Sequence, residues 1–359
     1  MLADDIDIDL ARRQRGYGRG ARMKIESDRS ELTGGVRGGE TLGSPVSMTV
    51  ENRDHASWKG KMDAAPMPVT PEPLTRPRPG HADLAGGLKL DRHDLRDVLE
   101  RASARETAAR TAAGAIAKKL LASLGIDVFA HVTAIGDAVA RPFDGAHADL
   151  KARARASDLA CADEAAEVLM KDAIRAAAHA GDTLGGVFEV VATGVPAGLG
   201  SHAQWDRKLD GRLAQALMSI PAIKAVEVGD GVEGAKRPGS RVHDPIGYDS
   251  EARRFTRPSN RAGGVEGGIT NGEPVLCRGH MKPISTLKSA LRSVDVVTKQ
   301  AFDAAHERSD ICAVAAASVV GEAMVALTLA DAVLEKHGGD SLRELLRNAR
   351  GFAEQARGY

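Results

Sequence analysis

Arg12-Arg13-Gln14-Arg15-Gly16-Tyr17-Gly18-Arg19-Gly20-Ala21-Arg22 opens a longer stretch, RRQRGYGRGARMKIESDR, that ends at Arg29. Its first eleven residues hold five arginines and no carboxylate. Arginine presents a planar fork of N–H donors that matches phosphate and carboxylate in a bidentate way, and interleaved glycines let the backbone approach a ligand closely. The stretch therefore reads as an anion site carried by Arg13, Arg19 and Arg22, although a solvated charged loop would use the same residue types. Before it, residues 4–15 predict a short helix with Ile6, Ile8 and Leu10 as its apolar positions. After it, residues 22–52 predict strands with turns at Gly34-Gly35 and Gly38-Gly39.

The rest of the 359-residue chain makes any such site local. Formal net charge is zero, so a general nucleic-acid or acidic-membrane binder is not expected. Hydrophobic residues make up 43% and aromatics only 3%, which leaves a core of Ala, Val, Leu and Ile. Cys161, Cys277 and Cys312 are far apart and odd in number, which fits small buried side chains in a reducing, cytoplasmic setting. Residues 1–10 are acidic and lack the apolar run of a signal peptide. Ala313 to Leu334 is apolar but interrupted by Glu322 and Asp331, and reads as a buried alanine-rich helix and not a membrane span.

Six prolines between 66 and 80 predict a rigid extended connection. Apolar spacing predicts a helical region from Asp91 to Leu124, stopped by Gly125, and helices over 163–180, 206–218, 287–307 and 314–336. Residues 183–200 predict a strand followed by a glycine-rich turn, and 229–272 hold thirteen glycines and prolines in irregular sequence. Gly39-Glu40-Thr41-Leu42-Gly43 resembles Gly181-Asp182-Thr183-Leu184-Gly185, a hint of internal duplication. Strands and helices mix without a βαβ rhythm, so the expected class is α+β.

Five further segments carry chemistry. Arg76-Pro77-Arg78-Pro79-Gly80-His81-Ala82-Asp83 fixes two arginines and a histidine on a stiff backbone, and histidine transfers protons near neutral pH. In Glu100-Arg101-Ala102-Ser103-Ala104-Arg105-Glu106 a continuous helix would put Arg101 and Arg105 on one face; a surface ladder pairing Asp97 with Arg101 and Glu106 with Arg110 is the alternative. Asn260 to Gly272 favours exposed backbone donors. Lys282-Pro283-Ile284-Ser285-Thr286 offers a cation and two hydroxyls, suited to a cofactor with a phosphate and a polar ring system. Arg308-Ser309-Asp310 is a charge pair ahead of an apolar helix.

Taken together, RRQRGYGRGARMKIESDR, RPRPGHAD, LERASARETAAR, GDTLGG, NRAGGVEGGITNG, MKPIST and RSD resemble chorismate synthase from Asp5 to about Leu342, in that family's order and spacing. The resemblance implies helices packed between two antiparallel sheets with internal pseudo-duplication, in one domain over 1–359 with a helical tail at 337–359. It implies a cytoplasmic homotetramer that eliminates phosphate from 5-enolpyruvylshikimate 3-phosphate, a 1,4-anti elimination giving chorismate, with reduced FMN and no net redox change. Arg13, Arg19, Arg22, Arg78, Arg105 and Arg308 would form the substrate clamp, with His81 and Asp310 as catalytic groups near the flavin. FMN contacts would come from Arg101, Ala102, Ser103, Pro221, Ala222, Gly267, Lys282, Pro283, Ile284, Ser285, Thr286 and Arg308. Arg13 and Arg19 also match positions assigned to NADP, which matters only where the enzyme reduces its own flavin. An external flavin reductase is therefore expected, with no metal. Family members begin with a strand carrying Gly-Glu-Ser-His-Gly, a motif that belongs upstream of Asp4. The sequence is accordingly expected to be N-terminally truncated, with a non-catalytic homologue that binds FMN or joins a full-length copy as the alternative.

Overall fold

The computed structural model describes residues 1–20, 27–67, 71–304 and 309–359. It begins with α1 (Ala3–Gln14). Ile6 and Leu10, four residues apart, are fully buried, whereas Ile8 is 61% exposed. The expectation for Ile8 is thus corrected: two steps along a helix turn a side chain about 200° away. Burial of Ile6 and Leu10 is worth about 1.5–3 kcal/mol each and pins α1 on the helix behind it.

Strands β1 (Ser30–Gly34) and β4 (Ser47–Val50) pair antiparallel, and between them β2 (Val36–Arg37) and β3 (Glu40–Thr41) form a tight ribbon. Gly35, Gly38 and Gly39 take positive φ at the predicted turns. Residues 71–78 run without regular structure, as their prolines require. Next come α2 (Asp83–Leu90), α3 (Arg96–Ala102) and α4 (Thr107–Ala122). The predicted helical region is broken at Ser103, whose backbone is extended and whose Oγ accepts from the Arg105 N–H at 3.3 Å. A serine that bonds the following backbone competes with helix continuation, so Arg101 and Arg105 lie on either side of a break and share no helix face. Glu106 does pair with Arg110, at 2.9 Å, but Asp97 pairs with Arg92 and not with Arg101.

The remaining elements are β5 (Asp127–Ile135), β6 (Ala138–Val139), α5 (His147–Ala156), α6 (Glu164–Ala180), β7 (Gly186–Thr193), α7 (Leu209–Met218), β8 (Ile223–Val228), the single turn α8 (Gly231–Gly234), β9 (Gly247–Asp249), β10 (Arg254–Thr256), β11 (Val265–Glu266), β12 (Ile269–Thr270), β13 (Val275–Met281), β14 (Arg292–Val294), β15 (Ala301–Asp303), α9 (Val314–His337) and α10 (Leu342–Arg357). The predicted helix over 287–307 is corrected to the β14–β15 ribbon. Asp295 is the reason. Its carboxylate accepts from the Val297 and Thr298 N–H groups and from Thr75 Oγ1, while the Val296 N–H donates to Thr75 O. Those bonds tie the segment to the proline-rich connection and leave no donors for helical rungs.

One sheet has the order β6-β5-β7-β13-β8, antiparallel throughout. Alternate residues of β5 and β7, such as Val128, Val132, Phe188 and Val190, face a core shared with Val320, Ala326 and Leu329 of α9. Helix α4 crosses α9 so closely that a Cβ on Gly114 would stand 2.3 Å from Ala323 Cβ; only glycine permits that approach. Behind α4, Ala108, Ala112 and Ala115 pack with α1, and Leu32, Met48 and Val50 of the β1–β4 pair cover the far side. Helices therefore lie between a five-stranded antiparallel sheet and a smaller antiparallel layer, an α+β arrangement. Of the two similar pentapeptides, 39–43 sits in the β2–β3 ribbon and 181–185 links α6 to β7. Helix α9 is long and apolar enough to span a bilayer, but 72% of its most apolar window is buried inside the protein. All three cysteines are buried and unbridged, and burial pushes the Cys277 thiol up to about 12 and that of Cys312 up to about 11, so neither is a nucleophile at neutral pH.

Candidate functional site

The arginine run divides among three settings. Arg13 leaves α1 toward a buried carboxylate: its Nη1 donates to Asp28 Oδ2 at 3.1 Å, its Nε to Thr107 Oγ1 at 3.0 Å and its Nη2 to Ala104 O at 3.1 Å. Arg105, from the turn after Ser103, donates from Nη1 to the other oxygen of Asp28 at 2.5 Å and from Nη2 to Glu51 O at 3.0 Å. One carboxylate, only 1% exposed, thus holds two guanidinium groups side by side. Arg19 lies in the loop after α1 and pairs through Nε with Asp310 Oδ2 at 2.9 Å. The Gly20 N–H donates to Asp310 Oδ1 at 2.6 Å, and the Ile311 N–H donates to Gly18 O at 2.9 Å. Gly18 has φ +83, and a Cβ there would come within 2.8 Å of Ile174 Cγ2, so the arginine loop docks on 309–312 only because this position is glycine. Asp310 therefore anchors a loop instead of capping α9, whose first turn starts at Val314.

The second wall is built around Asp83, which is fully buried. Arg78 donates its backbone N–H and its Nε to Asp83 Oδ2 at 3.1 and 2.9 Å, and its Nη1 reaches Thr286 Oγ1 at 3.2 Å. His81 Nδ1 lies 2.5 Å from Asp83 Oδ1. Burial pushes the Asp83 carboxyl up, but hydrogen bonds from His81 and Arg78 outweigh it and hold the group well below the usual carboxylate range. An ionised carboxylate only accepts, which assigns the proton to Nδ1 and leaves Nε2 as the acceptor, 3.4 Å from Arg78 Nη2. Lys282 closes the wall by donating from Nζ to Gly80 O at 3.0 Å, and its own backbone N–H donates to Ala222 O at 2.9 Å. Ala222 holds φ +69, a left-handed conformation rare for a residue with a side chain. Burial, with Lys224 nearby, lowers the Lys282 ammonium from its ordinary value, a setting that a bound anion would relieve.

The structure thus joins Arg78, His81, Lys282 to Thr286 and Ala222, joins Arg13 with Arg105 and the Ser103 cap, and joins Arg19 with Asp310. Arg22 and Arg308 lie outside the described residues. Arg101 is exposed and has no ion pair among the described residues, so an anion would meet no internal competitor there. Gly267 sits at the β11–β12 turn, whose neighbour Gly268 accepts from the Ser201 and Leu209 N–H groups; the backbone contacts of that turn lead to 201–209 and not to the arginine walls. Donors of the 260–272 loop expected to be exposed are partly consumed internally, since Asp244 accepts from the Arg261 and Ala262 N–H groups and Asn260 Oδ1 from the Gly264 N–H. Two organisers went unnamed as site residues, Asp28 and Asp83. Both stood inside segments quoted for their arginines, and the signal for each was a carboxylate within a basic motif, Asp83 the only one in RPRPGHAD and Asp28 one of two in its stretch.

Residues 1–334 match the family model described as chorismate synthase. Chorismate synthase of Symbiobacterium thermophilum is 56% identical over 357 residues, covering 98% of this chain and 91% of the relative. That of Geobacter sulfurreducens is 54% identical over 363 residues, covering 99% and 92%. A crystal structure of a chorismate synthase superposes with a TM-score of 0.80 at 40% identity, covering 100% of this chain and 91% of that one. With two arginine walls built on buried carboxylates and this likeness along its length, the chain belongs to the chorismate synthase family and is a carbon–oxygen lyase.

Proposed function

We propose that the chain catalyses the 1,4-anti elimination of phosphate from 5-enolpyruvylshikimate 3-phosphate to give chorismate, the last common step toward the aromatic amino acids. The observation that carries this reading is Asp28, one buried carboxylate gripping Arg13 and Arg105. A substrate with a phosphate and two carboxylates needs several convergent cations, and guanidinium groups fixed in advance neutralise charge as it develops on the leaving phosphate. Arg78, aligned by Asp83, serves from the second wall, Arg19 from beside Asp310, and Arg22 and Arg308 complete the clamp.

The donor set fits FMN. The Lys282 ammonium, destabilised by burial, the hydroxyls of Ser285, Thr286 and Ser103, and the exposed Arg101 suit a phosphate and a polar ring system. Pro221, Ala222, Gly267, Ala102, Pro283 and Ile284 would supply backbone and apolar contacts. Reduced FMN, when bound, would supply electron density to the substrate as phosphate leaves. His81, with its tautomer set by Asp83, would hold or release a proton near the flavin. Asp310, oriented by Arg19 and the Gly20 N–H, assists proton movement at the same place.

We further read 1–359 as one catalytic domain with 337–359 as a helical tail, working as a cytoplasmic homotetramer. Reduced FMN would come from an external flavin reductase, with NADPH as an indirect reductant only. The test is an anaerobic assay of the chain with substrate and chemically reduced FMN, following phosphate and chorismate together. Equimolar release of both supports the reading. Tight FMN binding without turnover would favour a non-catalytic homologue that binds FMN or assembles with a full-length copy.

A further inference from the structure

A cavity of about 510 Å³ lies between α10, the end of α9 and the segments 194–197 and 253–255, and it shares no residue with the two arginine walls. Its floor is apolar, formed by Leu124, Ile126, Val333 and Phe352. Four arginines, Arg253, Arg254, Arg350 and Arg357, reach it, and no lining residue is acidic. Among the described residues none of these four guanidinium groups forms an ion pair. In a chain of zero net charge that is a local concentration of cations. Cavities of a few hundred cubic ångströms with apolar walls and a few placed polar groups are the usual form of small-molecule sites.

Two further features mark the place. The chain holds only three tyrosines and six phenylalanines, yet Phe255, which lines the cavity, stacks edge to face with Tyr248 and Tyr359, with ring centroids 5.2 and 6.3 Å apart. Phe352 lies under the Lys336 Nζ, 3.6 Å from its centroid. Arg253 holds φ +50, a left-handed conformation that costs energy for a residue with a side chain and gathers at ligand clamps.

We propose that this cavity is a second binding site, for an amphipathic organic anion with a flat apolar body and a carboxylate or equivalent acid. The body would lie on Val333 and Phe352 while the acid group meets the arginine rim, Arg254 and Arg350 foremost. The site is independent of the elimination reaction assigned to the arginine walls.

The test uses the full chain saturated with FMN, so that the flavin pocket is already filled. Anilinonaphthalene sulfonate is the fluorescent probe and naphthoate the competitor. The expected result is saturable binding at one site per chain, displaced by naphthoate but not by its neutral alcohol analogue or by inorganic phosphate. The double variant Arg254→Gln/Arg350→Gln should weaken naphthoate about tenfold or more, since each lost charge-assisted contact counts for more than a neutral one, with unchanged melting temperature and phosphate release. Arg253→Gln serves as a second variant should the double one fail to fold. The proposal is overturned by non-saturable binding, by equal displacement with the neutral alcohol, by loss of the probe signal on adding FMN, or by unchanged affinity in the folded variants. A drop in sedimentation mass for Phe352→Asp would overturn it as well, by showing that a second copy covers the cavity.

Discussion

Arg12 and Arg13 are neighbours on α1 and end in opposite kinds of place. Arg12 donates from Nη1 and Nη2 to the two oxygens of Glu322 at 2.9 and 2.8 Å and also meets Asp9 at 2.8 Å. Lys118 bonds Glu322 and Asp9, and Arg155 reaches Glu322 at 3.2 Å. Arg13, about 100° around the helix, goes to Asp28 and Arg105. Both clusters centre on a carboxylate 1% exposed that receives more than one cation. They differ in what carries them. The Glu322 cluster is mounted on α1, α4, α5 and α9, whereas the Asp28 cluster draws Asp28 from the segment before β1 and Arg105 from the short turn before α4. Helices hold charges for packing; loops set on a rigid scaffold present them to ligands.

That contrast is broken most directly at Glu322. Glu322→Ala would leave Arg12, Lys118 and Arg155 facing Asp9 alone, and breaking a buried pair costs about 3–5 kcal/mol. Urea denaturation at neutral pH should show that loss, with kcat of the folded fraction unchanged. Burial pushes the Glu322 carboxyl up, but Lys118, Arg12 and Arg155 overcome it and hold the group at about 2, below its ordinary 4.5. A depressed carboxylate contributes stability that is complete above its unfolded value and lost as pH falls through its folded one. Denaturation midpoints should therefore fall between pH 4.5 and about 2 in the parent and flatten over that window in Glu322→Gln. Loss confined to pH values above 5 would assign the acid sensitivity elsewhere.

Arg105→Lys comes next. It keeps the charge but loses the fork that grips Asp28 and Glu51 O together. Steady-state phosphate release should fall about 10²–10³-fold in kcat/KM, with a smaller loss of stability than Glu322→Ala. A variant that melts early yet turns over normally when folded would move the Asp28 cluster to the structural side. Asp83→Asn has a smaller effect, about a hundredfold on kcat, because His81 stays in place but its tautomer is no longer set. Positioning predicts that KM for substrate changes little and that Asp83→Glu restores part of the rate. Equal falls in FMN affinity for Asn and Glu would instead make Asp83 a scaffold residue.

The sequence carried much of this and concealed the rest for identifiable reasons. Six prolines announced the extended run seen at 71–78, and the short helix expected over 4–15 is α1, although Ile8 is not on its buried face. The likeness of RPRPGHAD and MKPIST to known motifs placed both in one site, and the structure seats Lys282 Nζ on Gly80 O. Glu322 was visible as an interruption of an apolar helix, but its three cations come from three other helices, and one-dimensional spacing does not report such meetings. The predicted 287–307 helix failed because Asp295 takes backbone donors locally and Thr75, 220 residues away, supplies the partners. Asp28 and Asp83 were overlooked because a carboxylate beside arginines looks like local neutralisation until burial shows that it is an organiser.

The smallest effect is expected one turn beyond the contrast, at Arg15. It belongs to the same run as Arg12 and Arg13 and was equally eligible on sequence as part of an anion site. Its side chain is exposed and has no ion pair among the described residues, while its backbone N–H closes α1 on Arg12 O at 3.1 Å. That bond does not depend on the side chain, and surface substitutions of this kind stay within about 0.5 kcal/mol. Arg15→Ala should therefore leave urea stability, FMN affinity and kcat/KM together at parent values. A fall in kcat/KM of about tenfold or more, equivalent to 1.4 kcal/mol of transition-state stabilisation, would mean that Arg15 joins Arg13 and Arg19 in the clamp. The division between arginines that pack and arginines that bind would then be set by the direction of the loop after α1 and not by the face of the helix.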